Sequence, residues 1–470
     1  MMSGDTGVLE YVFYCIGRCS FDRAKEISEK EEKAAGKNPQ GSVLALSQLM
    51  ASLGQLSAAE KMYFSLSFLT QTPNNPKAFR RKDARIPLQG MYGQIKQDLD
   101  RRLEILYRTP DTLGTESSSG FSFTAPSPTP STSSIPTSGP AGQIPSAVVV
   151  HLSEQLSHFT TARLDMIEIY EQLHEMGLNR VGQYGSLLTK IEQVMTTYGK
   201  EFHHPALSPL ESSFSLETEV LKHLISAQLR MLDWNFMASL VHLTHAHRRL
   251  QMWTSIQQAE ERPAQLPGYR TSPTKTTTWP ALLTWFSKYQ TALLAKFSLY
   301  FHDVLSKQTT LPDLRNLMTK TVPDYHQKIL QFQRKSDAHS VCVVLDTNGM
   351  DYRGAGYQLP GHQPEAPSGL NSYPLLFCYP PEKPAKHWAP IVMTLAEESR
   401  RLAEPDNIVT VSDRAMDRTY FAAQIEPRFY IVIVFEVKKS EKDVTVTQFL
   451  LDIVSQLRCS KTLESLKPAQ

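Results

Sequence analysis

The sequence is poor in cysteine, and its few cysteines are scattered. They number five, at Cys15, Cys19, Cys342, Cys378 and Cys459. A small secreted scaffold held by disulfides has a denser and usually even set. The sequence therefore excludes a disulfide framework and favours a reducing, cytosolic setting.

Long uncharged apolar runs and an excess of one charge are lacking as well. No stretch approaches the roughly 20 apolar residues of a membrane helix. The apolar run 8–16 contains Glu10 and follows no basic residue, unlike a signal peptide. Lys and Arg number 49 against 47 Asp and Glu, a net charge of +2, so no global field attracts nucleic acid or anionic lipid. We therefore expect no nucleic-acid partner, and membrane residence only through other proteins.

Motifs of catalytic and cofactor sites are also absent. The sequence contains no Gly-Lys-Ser/Thr, no His-Glu-x-x-His and no Gly-x-Ser-x-Gly. Gly354 and Gly356 superficially resemble a phosphate loop, but a segment with Pro360 and Pro364 follows them instead of a helix. Loop or hairpin glycines are the favoured interpretation. The sequence thus predicts no catalytic residue, no cofactor and no metal ligand.

Histidines come nearest to a reaction centre. His242 and His245 share a face of a predicted helix at i, i+3, and His203 and His204 are adjacent. No neighbouring acidic residue or cysteine completes a ligand shell, so packing histidines are favoured over a metal site. Nothing around any cysteine argues for a lowered thiol pKa, such as a helix N-terminus with basic neighbours. A metal-dependent enzyme built on the histidine helix is therefore the least favoured function.

The most informative feature of the sequence is a change in the spacing of its apolar residues near residue 337. Before it, apolar residues recur every three or four positions, which predicts amphipathic helices packed as a bundle domain over 1–336. Ser208 and Glu211 are predicted to form a capping box at the start of one of them. The predicted helices span 8–35, 42–71, 86–108, 146–176, 179–200, 208–232, 235–260, 279–307 and 311–335.

Two segments of this bundle domain are predicted to be irregular. Ser, Thr, Pro and Gly dominate 109–145, a composition that buries too little apolar surface to order itself, so we predict a disordered insertion. Within it, Ser127 and Thr129 precede prolines and are candidate phosphosites, although an unmodified tether is favoured for each. A Pro-containing loop is predicted over 262–278.

A basic group begins between the second and third predicted helices and continues into the third. Acidic residues dilute it, so a solvated surface is favoured over a site for an acidic partner. The group comprises Lys77, Arg80, Arg81, Lys82, Arg85, Lys96, Arg101 and Arg102.

After residue 337, short β-branched and aromatic runs predict a small α/β domain over 337–470. Asn348-Gly349 is a strong hairpin-turn dipeptide. Because few residues separate the strands, antiparallel pairing is favoured. Ser440 or Asp443 caps the last helix. The predicted elements are strands 339–346 and 351–357, an extended piece 373–379, a helix 388–402, strands 408–412, 419–424 and 429–438, and a helix 443–458. The predicted fold is a large helical bundle followed by a five-stranded antiparallel sheet with packed helices.

Several segments spread over nearly the whole chain, in the same order, resemble the KICSTOR subunit two family. They are 57–61 (SAAEK), 202–214 (FHHPALSPLESSF), 294–302 (LAKFSLYFH), 306–310 (SKQTT), 435–441 (FEVKKSE) and 465–468 (SLKP). The resemblance implies a roadblock- or longin-like class for the C-terminal domain. It brings no catalytic or cofactor residue with it.

The resemblance also implies a function. A member of this family is expected to be a non-enzymatic scaffold or adaptor of the KICSTOR complex on the cytosolic face of the lysosomal membrane and in the cytoplasm. Its partners would be kaptin, an integrin-alpha FG-GAP repeat protein and a very large scaffold subunit. The complex would recruit GATOR complex one, act indirectly on Rag GTPases, and restrain mTOR complex 1 during amino-acid or glucose starvation. The alternative is a direct regulator of small GTPases that acts through the C-terminal domain.

Overall fold

A computed structural model gives the fold of the chain. It describes residues 4–36, 41–70, 87–108, 146–179, 182–258, 279–352, 354, 356, 367–413 and 417–466. The predicted insertion 109–145, with Ser127 and Thr129, lies outside these residues, as do the loop 262–278 and the basic residues from Lys77 to Arg85.

Helices fill the part of the chain before residue 337, as the spacing of the apolar residues predicts. In chain order they are α1 (Gly4–Gly17), α2 (Phe21–Ala34), α3 (Gly41–Phe64), α4 (Leu88–Arg108), α5 (Ser146–Asn179), α6 (Tyr184–Tyr198), α7 (Ser208–Leu232), α8 (Phe236–Gln258), α9 (Ala281–Tyr300), α10 (His302–Ser306), α11 (Leu311–Thr319) and α12 (Tyr325–Ser336).

Strands and helices alternate in the remainder, which confirms the predicted fold class. The elements are β1 (Ser340–Leu345), β2 (Leu375–Tyr379), α13 (Ala385–Glu397), α14 (Ser399–Leu402), β3 (Ile408–Asp413), β4 (Arg418–Glu426), β5 (Phe429–Phe435), α15 (Val444–Leu457) and α16 (Ser460–Glu464). The strands form one antiparallel sheet in the order β2-β1-β5-β4-β3.

The chain divides by internal contacts into two compact units. Unit 1 comprises Met1–Ile167, Val194–Ser215 and Ser255–Pro280, and unit 2 comprises Glu168–Gln193, Leu216–Thr254 and Ala281–Gln470. Secondary structure changes from helix to strand between Ser336 and Ser340, where the sequence predicts it. The domain division at 336/337 itself stays a prediction.

Both faces of the sheet are covered, which explains its continuous apolar strands. Every residue of β1 and β5 is buried. One face packs on α13 and α14, through side chains such as Trp388, Ile391 and Leu402. On the other side, α12 contacts β1, α15 contacts β4 and α9 contacts β2. Because neither face meets water, the central strands do not alternate between apolar and polar residues.

The first hairpin prediction is wrong in its second strand. None of the described residues between 351 and 357 lies in a strand, and β1 pairs instead with β2. The Asn348-Gly349 turn does form, with Gly349 at φ 68° and the Asp346 carboxylate accepting from the Asn348 amide. However, the Thr347 amide donates to the carbonyl of Ser372, so the chain after the turn does not return along β1.

The predicted helix 8–35 is two helices, α1 and α2, which are separated by a left-handed turn at Cys19. Cys19 adopts φ 56°, and the amides of Cys19 and Ser20 donate to the carbonyls of Ile16 and Cys15. This is the Schellman arrangement, in which a left-handed residue closes a helix. Glycine usually occupies that position, so a left-handed cysteine gives no local signal in the sequence.

Two further predicted helices are also divided. The helix predicted at 279–307 is α9 followed by α10, and the one predicted at 311–335 is α11 followed by α12. The second break surrounds Pro323, which cannot donate an amide hydrogen within a helix. Asp324 then starts α12, because its carboxylate accepts from the Gln327 amide.

The final helix is capped by Asp443, which decides between the two predicted caps. Its carboxylate accepts from the amides of Thr445 and Val446. Loss of an N-cap costs about 1 kcal/mol, so we expect Asp443→Ala to lower the free energy of unfolding by about that amount. Ser440→Ala is the matched control, because exposed Ser440 precedes the cap and its loss should change stability by less than about 0.5 kcal/mol. Urea unfolding of both variants tests this; equal losses would contradict the assignment.

Unit 1 contains a fully buried ion pair between α3 and α5. Arg163 donates from Nε and Nη2 to the two carboxylate oxygens of Glu60, both at 2.9 Å, and only 1% of its side chain is exposed. The Tyr92 hydroxyl also donates to Glu60, at 2.7 Å. The guanidinium lies 4.3 Å from the ring centre of Tyr63 and contacts Phe159 as well. The Glu60 carboxylate is therefore paired and hydrogen-bonded in an interior lined by aromatic rings.

Unit 2 contains a second buried network, on the side of the sheet that faces α9. The Lys296 ammonium lies 2.6 Å from Oε1 of Glu426, at the end of β4, and its side chain is completely buried. Gln228 donates to the same carboxylate and accepts from Lys296, and the Tyr300 hydroxyl donates at 3.0 Å. The register of β4 shifts between Gln424 and Glu426, the kind of bulge that re-aims a side chain.

Candidate functional site

The predicted histidine face on α8 exists but does not form a ligand shell. His242 lies with Nδ1 3.0 Å from Nδ1 of His223, a residue of α7. The His245 ring stacks on His223 with their centres 5.0 Å apart, a geometry that directs its nitrogens away from a shared ion. Burial, followed by the charges of His242 and His245, lowers the pKa of His223 to about 4. His223 is therefore neutral at physiological pH, and the three rings act in helix packing.

The other predicted histidines lie in unit 1. His203 and His204 surround Gln155 of α5, whose side-chain oxygen accepts from the His204 amide at 2.9 Å. The His204 ring in turn accepts from the Ala206 amide. Both histidines thus hold the turn before α7. Ser208 opens α7 with helical dihedral angles, φ −48° and ψ −37°, and its capping box with Glu211 stays a prediction.

Two buried cysteines, Cys342 and Cys459, lie in surroundings that keep their thiols protonated. Cys342 and Cys378 are opposite each other on β1 and β2, with their sulfurs 3.4 Å apart. The hydrogen bond between them, together with burial, raises the pKa of Cys342 well above its usual value. Burial raises the pKa of Cys459 to about 12. Neither Cys342 nor Cys459 is therefore prepared as a nucleophile.

Gly354 and Gly356 serve close packing in unit 2. The Gly354 carbonyl accepts from the Trp234 indole at 3.0 Å, and a β-carbon on Gly356 would lie 2.5 Å from Val304. Both glycines line an open cleft of about 850 Å³, together with Arg428 and the start of α8. Because their roles are local packing and backbone bonding, the phosphate-loop interpretation has no support from this geometry.

The sheet edges are candidate docking elements. Within the described residues, β2 pairs only with β1 and β3 only with β4, so each has one outer side without a strand. The residues of β3 are mostly half-buried, and Ser412 is exposed. An edge strand presents unpaired amide and carbonyl groups, which another chain binds by adding a strand.

A cluster that the sequence does not predict lies at one end of the sheet. It joins His339, just before β1, His387 in the first turn of α13, and Glu436, just after β5. Their ligand atoms all lie within 4.8 Å of one another. His387 Nε2 is 3.2 Å from one oxygen of Glu436, and His339 Nδ1 is 3.8 Å from the other. Two imidazoles and a carboxylate therefore converge on one point.

The electrostatics of this cluster favour the charged carboxylate. The hydrogen bond from His387, followed by the nearby His339, lowers the pKa of Glu436. Burial lowers the pKa of His387, against the raising effect of Glu436. On its other side, His387 Nδ1 lies 3.0 Å from the Tyr420 hydroxyl. At neutral pH the cluster thus joins the neutral His387 imidazole and the His339 ring with a carboxylate that carries one negative charge.

Sequence reasoning missed this cluster because its members are far apart in the chain. Metal sites are recognised in sequences by short spacings, and here nearly fifty residues separate each member from the next. The pairing of β1 with β5 brings His339 to the end of β5, where its amide donates to the Val434 carbonyl at 2.8 Å. Only the register of the sheet reveals the proximity.

Comparison with known proteins connects this fold to a family. The family model described as "KICSTOR complex C12orf66 like" matches residues 2–117 and 132–470. A Xenopus laevis protein named KICSTOR subunit 2 is 35% identical over 99% of this chain and 97% of its own length. A Danio rerio protein of the same name is 34% identical over 99% of this chain and 96% of its own length. The chain belongs to the KICSTOR subunit 2 family.

The family match leaves one internal segment of the chain uncovered. Residues 118–131 fall between its two matched segments, inside the Ser-, Thr- and Pro-rich stretch 109–145. Membership of the KICSTOR subunit 2 family therefore rests on the segments before and after residues 118–131. Among the helices of the described residues, none has the length and apolar character needed to cross a membrane.

Proposed function

We propose that this chain is a non-enzymatic scaffold subunit of a KICSTOR complex. The observation that carries the proposal is its match, over 99% of its length, to relatives named KICSTOR subunit 2. A subunit acts by presenting surfaces to partners, and a sheet with outer strands at β2 and β3 offers such surfaces. In this proposal the partners are kaptin, the integrin-alpha FG-GAP repeat protein and the very large scaffold subunit.

The finer role that we propose is regulatory. The complex would lie on the cytosolic face of the lysosomal membrane, with this chain held there by its partners. It would recruit GATOR complex one, act through that complex on Rag GTPases, and restrain mTOR complex 1 when amino acids or glucose are scarce. We also propose the division into domains 1–336 and 337–470, with a roadblock- or longin-like class for the second. The strand order β2-β1-β5-β4-β3 supports treating the second as one sheet-based domain.

Co-purification from cells tests complex membership. We expect the full-length tagged chain to recover all three proposed partners in stable proportions. A chain that lacks residues 118–131 should recover them equally well, because the family match omits that segment and shortening a loop changes closure entropy little. Failure of the intact chain to recover any partner would refute the proposal.

The finer role needs a separate measurement, in cells that lack the endogenous protein. We expect the full-length chain to restore both lysosomal recruitment of GATOR complex one and the loss of mTOR complex 1 activity on starvation. Nucleotide-exchange and hydrolysis assays on small GTPases serve as the contrast. Acceleration by the purified chain alone would replace the scaffold role with direct GTPase regulation.

A further inference from the structure

We propose that His339, His387 and Glu436 form a binding site for one divalent transition-metal ion, with Zn²⁺ as the best match. Two imidazole nitrogens and one carboxylate are a donor set that suits zinc, with a further position left for water. The inference does not depend on complex membership, since it rests only on the convergence of these three side chains in unit 2.

The distances already approach those of a coordinated ion. Ligand atoms about 2.0–2.1 Å from a tetrahedral ion lie about 3.3 Å from one another. The observed separations are 3.2 Å from His387 to Glu436 and 3.8 Å from His339 to Glu436. All three ligand atoms lie within 4.8 Å of one another. The shell is therefore completed when the side chains close by up to about 1.5 Å.

The surroundings of His387 supply the support that metal-binding histidines usually have. Its imidazole is 1% exposed and carries Tyr420 on Nδ1, while Nε2 faces Glu436. When a metal occupies Nε2, the ring proton must be on Nδ1. The Tyr420 oxygen lies where it can accept a hydrogen bond from this Nδ1–H group. An outer partner of this kind fixes the tautomer and the orientation of the ring.

The site combines a fixed part with an accessible part. His387 belongs to the sheet core, whereas the side chains of His339 and Glu436 are 39% and 53% exposed. An ion can therefore enter from the solvent side without opening the core. The positive charge of Arg418 acts on both His387 and Glu436 and would repel a bound cation. The negative charge of the Glu436 carboxylate offsets this repulsion. The bound ion would link the start of α13 to the start of β1 and the end of β5.

Zinc titration of the full-length protein tests the proposal. The protein is first stripped with a chelator. Titration of the stripped protein with Zn²⁺ should give a single-site isotherm by calorimetry. After loading with Zn²⁺ and dialysis, we expect one retained Zn²⁺ per chain by elemental analysis. His339→Gln and Glu436→Gln should each weaken zinc binding at least about 10-fold. Loss of a residue that only hydrogen-bonds to a metal ligand already weakens metal affinity by about that factor, and these two residues are ligands themselves. Both side chains are partly exposed, so circular dichroism should show that both variants remain folded.

His158→Gln is the matched control. His158 lies 3.8 Å from Glu201 with a similar exposed fraction, 51%, but belongs to no described three-ligand group. We expect it to bind zinc as the unaltered protein does. Retention of no zinc by the unaltered protein, or an equal loss of affinity in all three variants, would overturn the proposal.

Cobalt substitution tests the geometry and the role of Tyr420. Co²⁺ at a site of low coordination number gives intense visible bands, which should appear with the unaltered protein and vanish in Glu436→Gln. Tyr420→Phe should keep the stoichiometry but weaken binding about 10-fold and shift the bands, since it removes only the acceptor on Nδ1. Weak bands typical of a fully hydrated ion would contradict coordination by the three side chains.

Discussion

Replacing Lys296 by methionine is expected to lower the free energy of unfolding of unit 2 by about 3–5 kcal/mol. Methionine keeps most of the volume but leaves the Glu426 carboxylate buried without its cation. Gln228 and Tyr300 still donate to that carboxylate, so the loss falls short of the full cost of an isolated charge. Either the carboxyl group takes up a proton in the folded state, or the network opens to water.

Two controls make this prediction sharp. Lys288→Met changes an exposed lysine on the same helix and should alter stability by less than about 0.5 kcal/mol. The double variant Lys296→Met/Glu426→Gln removes both charges and should recover part of the loss. Urea unfolding combined with hydrogen exchange locates the effect, which should appear in α9 and β4. A loss below about 1 kcal/mol in Lys296→Met would show that the pair is dispensable.

The sequence predicts most of the helices and strands because their buried apolar residues recur at regular spacings. Central strands such as β5 are recognised because consecutive apolar residues fill both faces of the sheet. Errors arise where a chain reversal uses an unexpected residue, as at Cys19, or where a turn does not close a hairpin, as after Asn348. In each case tertiary contacts, which have no local pattern, decide the outcome.

The buried polar groups could not be predicted from the sequence. Lys296 and Glu426 are 130 residues apart, and Arg163 and Glu60 are 103 residues apart. In a sequence, each looks like a solvated charge on an amphipathic helix or after a strand. Nothing local distinguishes them, because only the folded contacts reveal that the charge is paired.

The segments that resemble the family include members of all three polar clusters. Glu60 lies in 57–61, Lys296 and Tyr300 in 294–302, and Glu436 in 435–441. The segment 202–214 ends with Phe214, whose ring lies 5.6 Å from the Arg163 guanidinium. Two of these segments therefore contain buried charged residues, Glu60 and Lys296, whereas Glu436 is half exposed.

Replacing Arg163 by methionine should destabilise unit 1 to a similar extent, by about 3–5 kcal/mol. The guanidinium makes two hydrogen bonds to Glu60 and packs among aromatic rings, so its loss removes both charge pairing and cation–π contacts. Arg163→Lys should also be destabilising, because a lysine cannot form the paired hydrogen bonds or stack its charge on Tyr63. Arg101→Met, which changes an exposed arginine of α4, should be nearly neutral and serves as the control.

The two buried pairs also test whether the units respond independently. Hydrogen exchange in Arg163→Met should increase in α3 and in the part of α5 before residue 168, while β1 and β5 keep their protection. Lys296→Met should give the reverse pattern. If either variant released protection in both units equally, the chain would unfold as a single cooperative body, and the free energies of the two pairs could not be assigned to separate units. If Arg163→Lys were as stable as the unaltered protein, the paired geometry on Glu60 would not be what holds α3 to α5.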